Sequence, residues 1–388
     1  MNMPCKDQKM GAEVFDEVKR LGLGFLRLPY RNPDKPGDID MQEVCRMVDA
    51  FMGVGFRYFD TAYNYLDYQS EVFLKAAVTD RYPREQFLLA TKLPCNELQE
   101  GESPYRIFND QLKKCGVSYF DVYLLHGISK PTYELAHRRR YFDFLEELKG
   151  TGKAHCIGFS FHDSAEVLDQ ILTTHPEVDV VQIQMNYLDW DNPIIQSGAC
   201  YAVCRKHGKK LIIMEPVKGG TLANVPEKAK LLMQQQDPAA NPAAWALRFA
   251  ASQPGVAMVL SGMSNIEQIC ANTELFSKFV PLTEPETDML WKAAEIIRKT
   301  VAIGCTGCSY CTHGCPVQIP IPQYFSLYNE HKCDCWQVGA KGRYRKMTQN
   351  HAAASRCIGC GQCEEKCPQK LPVMEYIQQV AKELEILG

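Results

Sequence analysis

FDVYLLHGISKPTYELAHRRRYFDFLEELKGTGKAHCIGFSF, from Phe120 to Phe161, is the stretch on which the fold turns. Its two ends, FDVYLLH (120–126) and HCIGFSF (155–161), are short runs rich in aliphatic and aromatic residues. Between them, YFDFLEELKG (141–150) repeats its apolar residues at helical spacing. A strand that is apolar along its whole length is covered on both faces, which implies a parallel sheet dressed with helices.

The same unit recurs outward in both directions. Strands are expected at LGLGFLRL (21–28), FRYFDTA (56–62), FLLATKL (87–93), VDVVQIQMN (178–186), KLIIMEPV (210–217) and VAMVLSGM (256–263), with a further helix at AEVLDQILTT (165–174). Eight strands in roughly 280 residues match a closed (β/α)8 barrel in number and length. An open doubly wound sheet is the alternative. It is weakened because LGLGFLRLP is not followed by a helix-opening G-x-G-x-x-G.

Length and composition set the frame. The chain has 388 residues, 46% hydrophobic and 23% charged, which suits two or three domains or one large barrel with an appendage. A net charge of -3 argues against nucleic acid or an anionic membrane as the main partner. The opening MNMPCKDQKMGAEVFDEVKR lacks a signal-peptide core, and no apolar run is long enough to span a bilayer, so a cytoplasmic location is expected. Eighteen cysteines in such a chain are not read as a disulfide framework. Ten of them are scattered and read as reduced, mostly packing residues.

Active sites of such barrels sit where the strands end. Asp60 ends the second strand, Tyr65 lies five residues on, Lys92 ends the third and His126 the fourth. Each has a bland reading: a loop tie, a surface cover, a solvated cation, a core histidine. Together they form a mechanism. A phenol with an ordinary pKa of about 10 donates protons poorly at neutral pH, and a nearby ammonium lowers that value. A carboxylate holds the ammonium in place, and an imidazole orients a carbonyl oxygen.

These residues bring the sequence to resemble the aldo-keto reductase superfamily. The resemblance is carried by FDTAYNYLDYQSE (59–71), LLATKL (88–93), DVYLLH (121–126), IGFS (157–160) and VVQIQMNY (180–187), across nearly all of residues 20–280. It implies a (β/α)8 barrel that binds NAD(P)H and passes hydride to aldehydes and ketones, with Asp60, Tyr65, Lys92 and His126 as catalytic tetrad. Ser160 and Gln182 match positions that hold the nicotinamide carboxamide. Phe161 stands where the family usually has Asn, which removes one carboxamide contact. In SGMSNIEQICAN (261–272), aligned with the adenosine-phosphate site, Gly262 replaces a lysine and Gln268 an arginine, while Asn272 matches. A 2′-phosphate wants a cation or forked donor nearby. This segment therefore disfavours NADPH and leaves NADH, a flavin or no nicotinamide open.

After PLTEPETDMLWKAAEIIRKTV (281–301), which opens with prolines and reads as a helix, come CTGCSYCTHGCP (305–316) and CIGCGQCEEKCP (357–368). Both are C-x2-C-x2-C-x3-C-P and start 52 residues apart. They resemble the ligand runs of bacterial two-cluster ferredoxins, in which the fourth cysteine serves the other cluster. The resemblance implies one 4Fe-4S cluster on Cys305, Cys308, Cys311 and Cys367, and another on Cys357, Cys360, Cys363 and Cys315. Zinc, which also uses C-x2-C pairs, is the alternative; two full quartets ending in Cys-Pro weigh against it. The insert at 323–347 carries Cys333, Cys335 and a basic patch of Lys341, Arg343, Arg345 and Lys346, read as a solvated face or a dock for an acidic flavodoxin or ferredoxin. HRRR (137–140) is read with the same caution.

The expected organisation is a barrel at 1–282, a helical linker at 283–304 and a cluster domain at 305–388, the layout of the iron-sulfur aldo-keto reductases. Hydride carries two electrons and a 4Fe-4S cluster passes one, so coupling them calls for a flavin or a radical-tolerant substrate. Three functions follow: a redox enzyme for a small carbonyl or alcohol whose clusters exchange electrons with the barrel site; a nicotinamide-dependent carbonyl reductase with structural clusters; and a non-catalytic electron-transfer or docking protein. The intact tetrad argues against the third. The identity of the substrate, the direction of reaction and the oligomeric state lie beyond the sequence.

Overall fold

The computed structural model describes residues 9–32, 38–332 and 337–385. Two compact units account for the chain, one of residues 1–216 and 247–282 and one of 217–246 and 283–388.

The first unit is a closed barrel of eight parallel strands in sequential order. They are β1 (Leu21–Gly24), β2 (Tyr58–Asp60), β3 (Leu88–Pro94), β4 (Phe120–Ile128), β5 (Ala154–Phe161), β6 (Val180–Gln184), β7 (Lys210–Met214) and β8 (Val256–Ser261). Every expected strand is present, and the open-sheet alternative is excluded because β1 pairs with both β2 and β8. Some strands are shorter than their apolar runs. β7 stops at Met214 because Glu215 adopts φ +53° and Pro216 follows.

Continuous apolarity has the expected cause: all eight residues of β5 and all five of β6 are buried. Tyr58, Ala90, Val122, Cys156, Val180, Ile212 and Met258, one from each of seven strands, join Val14 and Phe15 in one packed cluster. Phe15 belongs to a short N-terminal turn of helix (Gly11–Phe15), and its ring lies 5.9 Å from that of Tyr58. Helix starts are fixed by side-chain caps. Asp40 accepts from Glu43 N at 3.1 Å, Asn265 from Gln268 N at 2.9 Å, and Thr283 forms a reciprocal capping box with Glu286. The helices expected at 141–150 and 165–174 run Tyr141–Gly150 and Ala165–Thr174.

The second unit contains a duplication deeper than its cysteines. Gly307 and Gly359 have φ 66° and 69°, Ser309 and Gly361 66° and 77°, Gln318 and Lys370 58° and 48°. Each pair is 52 residues apart, as are the starts of the short helices Tyr310–His313 and Gln362–Glu365 and of the long helices Ile321–Lys332 and Val373–Leu384. One core serves both copies, built from Ile319, Tyr324, Phe325, Tyr328, Ile377 and Val380 among others, with six of the eight motif cysteines in it or packed on it.

Gly158 tests the barrel packing. A Cβ there would stand 2.0 Å from the carbonyl oxygen of Val180 on the neighbouring strand. Gly158→Ala is expected to lower the unfolding free energy by about 3 kcal/mol, measured by denaturant unfolding of the full chain; an unchanged midpoint would contradict this β5–β6 contact.

Candidate functional site

Strand register places the tetrad residues. Asp60 stands opposite Ala90 and Pro94 opposite His126, while Lys92 is opposite Leu124. Lys92 is 0% exposed, and its Nζ donates to Asp60 Oδ1 and to the carbonyl of Thr61, both at 2.7 Å. Burial pushes the Asp60 carboxyl up and the Lys92 ammonium down; each partner's charge opposes the other's shift. Behind this pair, Glu71 accepts from Thr91 Oγ1 at 2.6 Å and from Gln111 Nε2 at 2.9 Å. Gln111 also donates to the Lys92 carbonyl at 3.0 Å and accepts from the Tyr123 hydroxyl at 2.6 Å. The lysine is thus held from both its head and its backbone.

Tyr65 comes from the loop after β2. Three successive residues in the left-handed region, Leu66, Asp67 and Tyr68, at φ 50°, 52° and 65°, curl that loop back. Its ring lies with its centroid 5.0 Å from Lys92 Nζ and 5.6 Å from the His126 ring, at 74° to it. All four residues therefore meet. Burial first, then the charges of Lys92 and His162, hold His126 well below the usual imidazole value, so it is neutral at pH 7. His162 did not figure in the sequence reading. The signal was available, because it follows β5 directly and its backbone N–H donates to the Ile128 carbonyl at 2.8 Å.

Ser160 and Gln182 are opposite one another in register. Ser160 Oγ accepts from Gly127 N at 2.8 Å, and Gln182 Nε2 donates to the Met214 sulfur at 3.4 Å. The buried Gln182 Oε1 has no protein partner. Asn272 Nδ2 donates to Ser261 Oγ at 3.3 Å. Gln268 is engaged by its own loop, accepting from Ser264 N at 2.8 Å. The Arg27 side chain runs beside this segment: a Cβ on Gly262 would lie 3.2 Å from Arg27 Cδ. Arg27 belongs to the loop after β1, too distant in sequence for the segment to reveal it. The HRRR run is tied down locally, Arg139 to the Leu98 carbonyl at 2.5 Å and Arg140 to Asp143.

In the second unit, Cys315, Cys357, Cys360 and Cys363 line one small cavity with Pro316, Ile358 and Met374. Burial first, and then the charges of Cys308, Cys305 and Cys367, push the Cys311 thiol up to about 12. The cysteines thus fall into two neighbourhoods, each drawing its fourth member from the other copy. Among the described residues no group of three or more His, Cys, Asp or Glu gathers tightly enough for one metal ion. A 4Fe-4S cube binds its thiolates at four different corners, which spaces them more widely than one ion would. None of the fifteen described cysteines forms a disulfide, and those of the barrel helices and strands are mostly buried; burial raises the Cys95 and Cys200 thiols to about 12. Cys5, Cys333 and Cys335 lie outside the described residues.

Residues 20–295 match the model of the aldo/keto reductase family. This chain belongs to that family. Residues 304–372 of this aldo/keto reductase match the 4Fe-4S dicluster domain. The chain is similar to an NADH-specific methylglyoxal reductase of Escherichia coli, 25% identical over 53% of this chain and 65% of the relative. It is also similar to an NADPH-dependent alpha-keto amide reductase of Saccharomyces cerevisiae, 30% identical over 46% of this chain and 55% of the relative. The match thus spans less than two thirds of the length of these two curated relatives. Among solved structures, an aldo-keto reductase from Bacillus halodurans in its holo form superposes with TM-score 0.57, at 23% identity, over 74% of this chain and 95% of its own. One from Klebsiella pneumoniae in complex with NADPH gives 0.56 at 18% identity over the same shares. These likenesses show the fold. No helix among the described residues is long and apolar enough to cross a membrane.

Two adjacent glycines after β7 report on the cysteine loops. A Cβ on Gly219, at φ +64°, would lie 1.9 Å from the Thr306 carbonyl oxygen; one on Gly220, at φ +101°, would meet nothing within 4 Å. Both alanine variants carry backbone strain, but Gly219→Ala adds a clash. It is expected to be less stable than Gly220→Ala by about 2 kcal/mol, with thermal melts of the two variants compared; equal losses would remove the Gly219–Thr306 contact.

Proposed function

We propose that this aldo/keto reductase is an oxidoreductase for a small carbonyl or alcohol, with two 4Fe-4S clusters exchanging electrons with the barrel site. The observation that carries it is the convergence of Tyr65, Lys92, Asp60 and His126 around one buried ammonium. Tyr65 delivers a proton to the carbonyl oxygen, and Lys92 stabilises the phenolate left behind. Asp60 fixes Lys92. The neutral His126 orients the carbonyl by hydrogen bonding without competing as a second cation. Each carbonyl reduced takes up two electrons and two protons: bound clusters would supply the electrons singly, Tyr65 one proton and water the other. Cys305, Cys308, Cys311 and Cys367 would hold one cluster and Cys357, Cys360, Cys363 and Cys315 the other. The four-cysteine cavity and the mutual influence of Cys311, Cys305, Cys308 and Cys367 fit that assignment. In this reading the barrel is 1–282, the linker 283–304 and the cluster domain 305–388, and a low-potential protein carrier is the external partner.

A second reading has specific support: a nicotinamide-dependent carbonyl reductase with structural clusters. The partnerless Gln182 Oε1 suits a carboxamide N–H, with Ser160 beside it, and the curated relatives above are named for NADH and NADPH. Asn272 and the neighbouring Arg27 would hold the adenosine end. Which nicotinamide, or whether a flavin binds instead, follows from the spectrum of anaerobically isolated protein and from turnover with each reductant.

Tyr65→Phe is expected to reduce turnover of a carbonyl substrate by about 100-fold or more without changing the protein's fold by circular dichroism; retained activity would remove the tetrad assignment. Iron and acid-labile sulfide are each expected at about eight per chain for two cubes. Zinc, or about four of each, would overturn the cluster assignment. Carbonyl reduction with NADH at an unchanged rate after cluster destruction, the fold being kept, would select the second reading.

A further inference from the structure

The two copies of the cysteine motif are alike in backbone but not in surroundings. The residue after the first cysteine is Thr306 in one copy and Ile358 in the other; Thr306 is 2% exposed and Ile358 66%. The second cysteine follows suit, with Cys308 half-buried and Cys360 exposed. Segment 217–220 makes the difference. Gly219 lies against the Thr306 backbone, while Lys218, itself buried, donates to Gln369 Oε1 at 3.2 Å and packs its stem towards Gly304. Ile358, a large apolar side chain, stands largely in water.

Charge separates the copies in the same sense. From Gln337 to Lys370 the chain carries Lys341, Arg343, Arg345, Lys346, Arg356, Lys366 and Lys370 against Glu364 and Glu365, a net of 7 − 2 = +5. The matching window 52 residues earlier, 285–318, has Lys292, Arg298 and Lys299 against Glu286, Asp288 and Glu295, a net of zero. The whole chain is at -3. The positive helix Gln337–Met347 is fastened beside the second cysteine loop by Tyr344. Its hydroxyl accepts from Ala354 N at 2.8 Å and donates to Glu385 Oε1 at 2.6 Å. Glu385 is engaged there, accepting also from Ser355 N at 2.9 Å, and Glu330 is taken by Arg343. Arg345, Lys346 and Arg356 remain exposed.

We propose that the face around Ile358 and Cys360, bordered by Arg356 and the basic helix, docks an acidic one-electron carrier protein, which makes the second cluster the electron port and the first the internal one. This rests on the electron-exchange reading above. An exposed apolar side chain, with Arg356 two residues before it and a basic helix fastened at Ala354, suits such a partner: charge steers the encounter and a small dry contact at Ile358 brings the carrier against the Cys360 edge. One electron passes per encounter, the carrier being oxidised and the cluster reduced, so two encounters serve each two-electron turnover.

The test is stopped-flow reduction of the full holoprotein by chemically reduced flavodoxin. The second-order rate constant is expected to fall steeply with salt, and at low salt to fall at least tenfold in the double variant Arg345→Glu/Arg356→Glu and in Ile358→Asp. Reduction by methyl viologen radical, a small cation, should persist in the double variant, with unchanged electron paramagnetic resonance spectra. Unchanged flavodoxin rates in both variants would overturn the proposal, as would wild-type clusters that dithionite reduces but flavodoxin does not. Clusters that flavodoxin reduces but no carbonyl substrate reoxidises would instead overturn the electron-exchange reading and leave the dock standing.

Discussion

A buried ion pair governs the barrel site. Lys92 and Asp60 are both withdrawn from water and meet at 2.7 Å. Removing two charges from water costs several kcal/mol each, and only close geometry with further hydrogen bonds offsets it. Here the carbonyl of Thr61 takes a second lysine proton at 2.7 Å, and Gln111 anchors the Lys92 backbone. The arrangement tolerates little slippage between β2 and β3, since moving either strand would leave a charge unpaired in the interior. Tyr65 and His126 inherit their properties from it. One ring lies across the ammonium, and the other is kept neutral partly by that ammonium's charge.

The second unit solves a different problem. It is small, and its core gathers apolar residues from both copies of a duplicated helix-and-loop element around the cysteines. Each loop uses left-handed residues at equivalent places, which gathers three cysteines into a single tight turn. The fourth cysteine then lies beyond a turn that faces the other copy: a Cβ on Gly314 would lie 2.7 Å from Lys366 Nζ. Duplication produces the symmetry, and segment 217–220 breaks it by covering Thr306 while Ile358 stays exposed.

Much of this was legible from local pattern. Continuous apolar runs located eight strands, because a strand buried on both faces has no polar alternation to hide it. The amphipathic segments 141–150 and 165–174 became helices with those bounds, since 3.6-residue periodicity and capping are short-range properties. Tyr65, Lys92, Asp60 and His126 were legible as strand-end chemistry because a parallel barrel brings all its strand ends to one side. The Glu71–Thr91–Gln111–Tyr123 network was not, since its members lie 12 to 40 residues apart and each looks ordinary alone. Arg27 beside Gly262 escaped for the same reason, as did the grouping of Val217–Ala246 with the second unit.

The sequence by itself therefore determined the periods, the chemical types and the cysteine spacing, all of which are written within a few residues of chain. Only the tertiary structure decided which groups lost their water. Burial depends on neighbours distant in sequence, and burial sets the neutrality of His126, the desolvation of the Lys92–Asp60 pair, and the contrast between a covered Thr306 and an exposed Ile358. Two identical cysteine spacings could not announce that contrast, because the cover comes from Gly219, 87 residues before Thr306 in the chain.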